Sequence, residues 1–210
     1  RLMELLVDSG KEYRMEVELG KTTSTYDGEG AVVKTSDPSA LNSQVIEDTL
    51  AAFRGTIDQI PPMYSALKVD GKRLYKLARS GIEVERQPRP VEIYRLEVLE
   101  FSSPLLILLA ESGRGAYMRS LAHDIGEALG CGGYLRSLTR LRSGSFKSEE
   151  SISLEQFLEH GEEGWQERLQ PVDFPLLNLK SLTVGRDAER LLRSGQSVAL
   201  PPDVGAYASY

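Results

Sequence analysis

The sequence has few of the residues that build metal centres, disulfide frameworks and membrane spans. Its 210 residues include one cysteine, Cys131, and two histidines, His123 and His160. A single cysteine excludes an internal disulfide and any structural zinc site made of paired cysteines. The longest apolar run, residues 105–110, is far shorter than the roughly 20 residues of a membrane-spanning helix. These absences predict a protein of the reducing cytoplasm.

Several motifs of common enzyme classes are also missing. The sequence has no HExxH pair, no GxSxG turn, no P-loop and no dinucleotide-binding glycine pattern. His123 falls on the polar side of a helix predicted over residues 117–129, and we interpret it as an ordinary surface residue. The sequence therefore gives little support for a zinc-dependent hydrolase, a serine hydrolase or a P-loop nucleotide hydrolase.

The composition is that of a folded protein with an uneven distribution of charge. Hydrophobic residues make up 40% of the chain and charged residues 27%, with a net charge of −6. Residues 68–95 nevertheless carry eight basic side chains against four acidic ones, and residues 114–147 carry six against two. A polyanion responds to the local field within about 8 Å, not to the net charge of the chain. The acidic total therefore does not exclude nucleic acid as a partner.

Local periodicity predicts an α+β fold. Residues 11–19 alternate between apolar and polar side chains, which indicates a half-buried strand. Residues 91–101 and 104–111 are predicted to be paired strands, and residues 134–141 another. A stripe of apolar residues every three or four positions predicts the helix over residues 117–129, which Gly130 ends.

The basic segment contains a further predicted helix. We expect residues 63–69 to form a strand and residues 72–80 to form a helix with Asp70 as its N-cap, although Asp70-Gly71 is also compatible with a hairpin turn. On that helix Lys72, Lys76 and Arg79 would lie on one face. The pattern predicts a basic amphipathic helix.

Arg119 occupies an unfavourable position for a cation. It falls in the first turn of the helix over residues 117–129, where the helix dipole already places partial positive charge. Either the arginine is solvated and tolerates this small cost, or an anion lies opposite it. Tyr117 beside it offers a ring or a hydroxyl to a ligand.

Four segments in the same order carry a family resemblance: KEYRMEVELG (11–20), PPMYSALKVDGKRLYKLARSGIEV (61–84), RGAYMRSLAHDIGEALG (114–130) and LRSLTRLRSGSF (135–146). On these segments the chain resembles TruB-type tRNA pseudouridine synthases. The resemblance implies an α+β fold with a mixed, mainly antiparallel sheet flanked by helices. The tail LTVGRDAERLLRSGQSVALP is similar to the start of that family's PUA-like RNA-binding domain.

The resemblance also implies a domain organisation. Residues 1–170 would form the catalytic domain, with an RNA-gripping insertion at about 61–90, and residues 171–210 a truncated PUA-like domain. The family's nucleophilic aspartate lies in a GHTGTLDP-like motif that this sequence does not contain. We therefore interpret the chain as a fragment that lacks the N-terminal part of the catalytic domain and is inactive alone.

Site residues follow from the matched motifs. The resemblance makes Arg119 the salt-bridge partner of the nucleophilic aspartate. The residues expected to line the uridine pocket are Tyr13, Tyr117 and Leu138. The residues expected to bind RNA are Lys68, Lys72, Lys76, Arg79 and Arg140. In a run that usually reads T-D-T-x-D, Ser24 replaces the first acid and Asp27 is retained.

The implied activity is isomerisation of uridine to pseudouridine in the T loop of tRNA, by base flipping and an aspartate nucleophile. The resemblance implies no metal or other cofactor, no membrane and no obligate protein partner, and we expect a monomer. Two alternatives stay open. One is a non-catalytic RNA-binding or tRNA-folding module, and the other is a guide-RNA-dependent synthase of the dyskerin type.

Overall fold

The computed structural model describes residues 6–7, 9–69, 71–159, 166, 169–176, 179 and 182–199. The chain divides into two compact units, Arg1–Pro175 and Leu176–Tyr210. The predicted domain boundary at residue 171 and the PUA-like nature of the last segment stay predictions. No helix among the described residues is both long enough and apolar enough to cross a membrane.

The first unit is built on one six-stranded sheet in which every pair of neighbours is antiparallel. Its strands, in spatial order, are β10 (Phe146–Lys147), β9 (Gly133–Ser143), β1 (Lys11–Leu19), β8 (Leu105–Ser112), β7 (Arg89–Ser102) and β4 (Gly55–Gln59). Small hairpins pair β2 (Lys21–Thr23) with β3 (Val32–Thr35), and β5 (Lys68–Val69) with β6 (Lys72–Arg73). The predicted α+β class and mainly antiparallel sheet are confirmed.

The principal helices of the described residues lie mostly in the first unit. They are α1 (Ser43–Leu50), α2 (Leu74–Arg79), α3 (Met118–Ala128), α4 (Leu154–Glu159) and, in the second unit, α5 (Arg186–Arg193). The helix predicted over residues 117–129 is confirmed as α3. A capping box opens α4, since Ser153 and Gln156 exchange side-chain and backbone hydrogen bonds.

Strand β1 lies in the middle of the sheet and presents its apolar face to the core. Met15 and Val17 are fully buried, as their alternation with charged residues predicts. Leu121 and Ile125 of α3 are also fully buried and belong to the same core. The core therefore fixes α3 relative to the sheet.

The insertion predicted at about residues 61–90 is folded differently from its sequence prediction. Residues 68–69 and 72–73 form the β5–β6 hairpin, so the predicted strand over residues 63–69 and the predicted helix start are wrong. Helix α2 begins at Leu74, which is fully buried and whose N–H donates to the carbonyl of Leu67. That backbone bond replaces a side-chain cap. Lys72 therefore lies on the hairpin, and Asp70 lies outside the described residues.

Helix α3 crosses β9 at a very short distance because two glycines meet there. A Cβ atom added to Gly126 would overlap the backbone nitrogen of Gly133. Backbone atoms of Gly132 and Gly133 occupy that space, so a side chain could fit only if α3 moved away from the sheet. This close approach sets the height of α3 above β9.

We expect Gly126→Ala to lower the free energy of unfolding by about 1–3 kcal/mol, since overpacking against backbone cannot be relieved by a rotamer change. Gly28→Ala is the matched control, because its added Cβ would meet only the ring of Tyr134 at 3.7 Å, an ordinary contact. Denaturant unfolding of both variants measures the difference. Equal stability of the two variants would contradict the close approach.

Candidate active site

Arg119 is the second residue of α3 and forms an ion pair with a loop distant in sequence. Its Nη1 lies 2.9 Å from Oδ2 of Asp27, and its Nη2 donates to the carbonyl of Tyr64 at 2.6 Å. The side chains of Arg119 and Asp27 are 26% and 22% exposed. An anion therefore does lie opposite this cation, and among the described residues it is Asp27.

Asp27 is held by its own loop, which joins β2 to β3. Its Oδ1 accepts hydrogen bonds from the hydroxyl of Thr25 and the N–H of Glu29, and its carbonyl accepts one from the hydroxyl of Thr23. A short parallel bridge links Asp27 to Leu135 of β9. The carboxylate is therefore positioned by the fold before any ligand arrives.

The start of α3 is clamped by Gln59, the last residue of β4. The N–H of Tyr117 donates to Oε1 of Gln59 at 2.7 Å, and Nε2 of Gln59 donates back to the carbonyl of Tyr117 at 3.1 Å. One turn further, the hydroxyl of Ser120 donates to the carbonyl of Ile60 at 2.8 Å. Sequence reasoning missed Gln59, since a single buried glutamine leaves no mark in the polarity pattern.

Arg119 and Leu138 share a cavity of about 470 Å³. The lining residues are Asp27, Gly28, Glu29, Arg119, Leu135, Arg136, Ser137 and Leu138. Leu138 of β9 is 44% exposed and gives this cavity an apolar surface. The site thus combines a fixed guanidinium with an apolar wall. We call it the arginine cavity.

The two predicted pocket tyrosines lie apart from the arginine cavity. Tyr117 lines a separate cavity of about 300 Å³ together with Gln59 and Arg114. Tyr13 is only 8% exposed, and the guanidinium of its cross-strand neighbour Arg140 lies 5.5 Å from the centre of its ring. This spacing is that of a cation–π contact. A single uridine pocket walled by both tyrosines and Leu138 stays a prediction.

The predicted RNA-binding lysines gather around a third cavity, of about 710 Å³. Its charged lining residues are Lys68, Lys72, Arg73 and Lys76, and we call this surface the basic groove. The hairpin turn brings Lys68 and Lys72 together, whereas Lys76 comes from α2. Arg79 lies beside the groove, with its guanidinium 5.5 Å from the ring of Tyr75.

His123 is not an ordinary surface residue. Its imidazole stacks on the ring of Tyr26 with 3.9 Å between ring centres and 9° between ring planes. Among the described residues its Nδ1 is buried and has no hydrogen-bond partner. Burial lowers the pKa of His123, against the opposing effects of Glu127 and of a backbone hydrogen bond at Gly133.

The described residues contain no group of three or more histidine, cysteine, aspartate or glutamate side chains that could hold a metal ion. The polar groups of the arginine cavity are instead suited to an anion. Arg119 has five N–H donors, and its hydrogen bonds to Asp27 and Tyr64 leave donors for a further carboxylate or phosphate.

The fold is shared with solved proteins. A chain in the crystal structure of a Cbf5-Nop10-Gar1 complex superimposes with a TM-score of 0.61 at 28% identity, over 83% of this chain and 45% of that chain. Fold and site together define an α+β protein with an ion-paired arginine in one cavity and a groove of cations elsewhere on the same unit.

Matches to two family models identify the family of this chain. Residues 1–118 match the model of the TruB family pseudouridylate synthase N-terminal domain, and residues 119–177 match the tRNA pseudouridylate synthase B C-terminal domain. The chain belongs to the TruB family of pseudouridylate synthases, which confirms the resemblance carried by the four motifs.

Curated relatives agree with this assignment. A tRNA pseudouridine synthase B of Clostridium tetani is 40% identical over 198 residues, which cover 94% of this chain and 68% of the relative. A tRNA pseudouridine synthase B of Syntrophotalea carbinolica is 46% identical over 155 residues, which cover 74% of this chain and 51% of the relative. The chain thus spans between about half and two thirds of the length of these relatives.

Asp124 of α3 should make stability depend on pH. Burial, with repulsion from Glu127, raises the pKa of its carboxyl to about 6. The folded state then binds a proton more tightly than the unfolded state, so stability falls as pH rises from about 4 to about 6. We expect Asp124→Asn to remove this fall and to raise the free energy of unfolding at pH 7 by about 1–2 kcal/mol, allowing for solvent screening.

Denaturant unfolding at pH 4.5 and pH 7 checks this expectation. Asp58→Asn is the control, because Asp58 is an exposed carboxylate on β4. An Asp124→Asn variant with the pH dependence of the unsubstituted protein would contradict the assignment.

Proposed function

We propose that the full-length protein isomerises uridine to pseudouridine in the T loop of tRNA. The observation that carries this proposal is the guanidinium of Arg119, which Asp27 and the carbonyl of Tyr64 hold at the edge of a cavity with an apolar wall. Family membership supplies the reaction class, and the relatives named tRNA pseudouridine synthase B supply the substrate.

In this proposal Arg119 serves the aspartate nucleophile of the family. Its remaining N–H donors would bind that carboxylate, and a paired guanidinium favours the ionised form of an acid. The carboxylate is then a nucleophile at neutral pH. Asp27 keeps the guanidinium in place and offsets part of its charge, so that the arginine neither swings into solvent nor repels the start of α3.

The uridine must leave its stack to reach the cavity. Unstacking and unpairing a base costs a few kcal/mol, which contacts to the RNA backbone offset. The basic groove would provide those contacts, because it gathers Lys68, Lys72, Arg73 and Lys76 around one concave surface. Leu138 would pack against the flipped base, and Tyr13, Tyr117 and Arg140 complete the proposed substrate contacts.

We propose a cytoplasmic monomer that needs neither a cofactor nor a guide RNA. The fold is shared with a chain of the Cbf5-Nop10-Gar1 complex at 28% identity, whereas the relatives at 40% and 46% identity are named for tRNA. A non-catalytic RNA-binding module is the remaining alternative, and the activity of Arg119 variants separates it from the enzyme.

We expect Arg119→Ala in the full-length protein to slow pseudouridine formation at least about 100-fold, because the nucleophile loses its charge partner. Arg119→Lys should also be impaired, since an ammonium cannot form the planar fork that contacts Asp27 and a second carboxylate at once. Single-turnover assays on a T-arm stem-loop, with RNA binding measured in parallel, give both rate and affinity.

The matched control is Arg95→Ala, which breaks the Arg95–Glu97 pair on β7 outside the arginine cavity. We expect this control to retain activity. Full activity of Arg119→Ala would overturn the proposed function. Absence of pseudouridine formation by the unsubstituted full-length protein, with RNA binding retained, would favour the non-catalytic alternative.

The basic groove makes a separate prediction about salt. Removing one cation that binds a phosphate should reduce the slope of log affinity against log salt by roughly 0.7–0.9. We expect Lys72→Gln and Lys76→Gln each to flatten the slope of tRNA binding by about this amount. In contrast, Lys147→Gln should leave it unchanged, because that ammonium lies 3.5 Å from Glu150 and 3.7 Å from Glu149. Unchanged slopes in all three variants would exclude the groove as the RNA contact.

A further inference from the structure

Tyr26 has a backbone conformation that tyrosine rarely adopts. Its φ angle is +65°, and it is the sole non-glycine residue with positive φ in the part of the chain that the structure describes. The left-handed region is sterically costly for a residue with a bulky side chain. Such a conformation persists only where surrounding contacts enforce it. The neighbours of Tyr26 must therefore supply that enforcement.

Tyr26 is held both through its ring and through its backbone. The ring lies almost parallel to the imidazole of His123, with ring centres 3.9 Å apart. The carbonyl accepts a hydrogen bond from the N–H of Leu135 at 3.0 Å. Helix α3 and strand β9 thus both restrain this one residue of the loop between β2 and β3.

His123 and Arg119 are four residues apart on α3, so their side chains project from the same side of the helix. Tyr26 and Asp27, their partners, are adjacent in the loop. The loop is therefore joined to α3 by two neighbouring contacts, an aromatic stack and an ion pair. With the ion pair alone, rotation about the bonds of the long arginine side chain would let the loop shift against the helix. The stack of two flat rings, one helical turn away, fixes the distance between the loop and the helix.

The state of His123 fits a packing role. Its Nδ1 has no hydrogen-bond partner among the described residues, and burial lowers the pKa of the imidazole, which favours its uncharged form. No contact within the described residues gives Nδ1 a proton-transfer partner. The ring contact of His123 is with Tyr26.

We propose that Tyr26 and His123 are positioning residues, whose stack holds Asp27 at the distance from which it orients Arg119. This inference rests on the proposed function for its catalytic consequence. Its structural content, a loop held against α3 by two rings, can be measured without substrate.

Three substitutions separate the effect of the aromatic stack from the effect of the backbone conformation of Tyr26. Tyr26→Asn removes the ring but tolerates positive φ, so it does not add backbone strain. Tyr26→Phe keeps the ring and removes only the hydroxyl. His123→Ala removes the stack from the opposite side. The control is Tyr94→Asn, which removes a tyrosine that is 60% exposed on β7.

The first readout needs no RNA. Hydrogen exchange of the Leu135 amide, which donates to Tyr26, should accelerate roughly 2- to 10-fold in Tyr26→Asn and in His123→Ala, as expected for the loss of one aromatic pair. Tyr26→Phe and Tyr94→Asn should exchange at the rate of the unsubstituted protein. Mass spectrometry of peptides that contain Leu135 measures this in the full-length protein. Unchanged exchange in Tyr26→Asn would overturn the proposal.

The second readout is the single-turnover rate of pseudouridine formation. We expect Tyr26→Asn to lower it about 10-fold with unchanged RNA affinity, since small displacements of a catalytic group have effects of this size. Tyr26→Phe should restore the rate. In an Asp27→Asn background the same substitution should have no further effect, because Tyr26 acts through Asp27.

The outcomes of these experiments distinguish the positioning role of Tyr26 and His123 from the proposed function. A full effect of Tyr26→Asn in the Asp27→Asn background would overturn the route through Asp27. Absence of any pseudouridine formation by the unsubstituted full-length protein would overturn the proposed function instead. In that case hydrogen exchange at Leu135 would still decide whether the stack holds the loop.

Discussion

The ion pair between Asp27 and Arg119 is the interaction on which the site depends. It joins a loop near the start of the chain to the first turn of α3, across 92 residues of sequence. A cation at a helix N-terminus is unfavourable unless an anion is close, and Asp27 supplies that anion from a loop already stiffened by its own hydrogen bonds. The arginine cavity is therefore preorganised by the folded chain, which is the condition for electrostatic catalysis.

A second segment converges on the same turn of α3. Gln59 holds the backbone of Tyr117, the carbonyl of Ile60 accepts from Ser120, and the carbonyl of Tyr64 accepts from Arg119. These contacts span the point at which β4 ends and the insertion with the basic groove begins. The segment that carries the basic groove and Arg119, the proposed catalytic arginine, are thus joined through one stretch of backbone.

Elements whose apolar residues recur with a regular period could be predicted from the sequence. Contacts between residues far apart in the sequence could not. The alternation in β1 and the apolar stripe of α3 predicted both elements. A hairpin turn at Asp70-Gly71 was considered for the segment that carries Lys72, but a basic helix was preferred, because two paired residues leave no period. Gln59 and the Tyr26–His123 stack were invisible for a related reason, since each depends on a partner far along the chain. Arg119 was found through its misplaced charge, which pointed to an anion without identifying Asp27.

The bond from Arg119 to the carbonyl of Tyr64 has a mechanical consequence. A backbone carbonyl cannot rotate away as a side chain can, so the guanidinium follows any displacement of the peptide at residue 64. Under the proposed function, an RNA seated in the basic groove would bear on the same insertion. A substrate that fitted poorly and displaced this peptide would misalign Arg119 before the reaction began. One hydrogen bond would thus couple the fit of the RNA to the timing of the reaction.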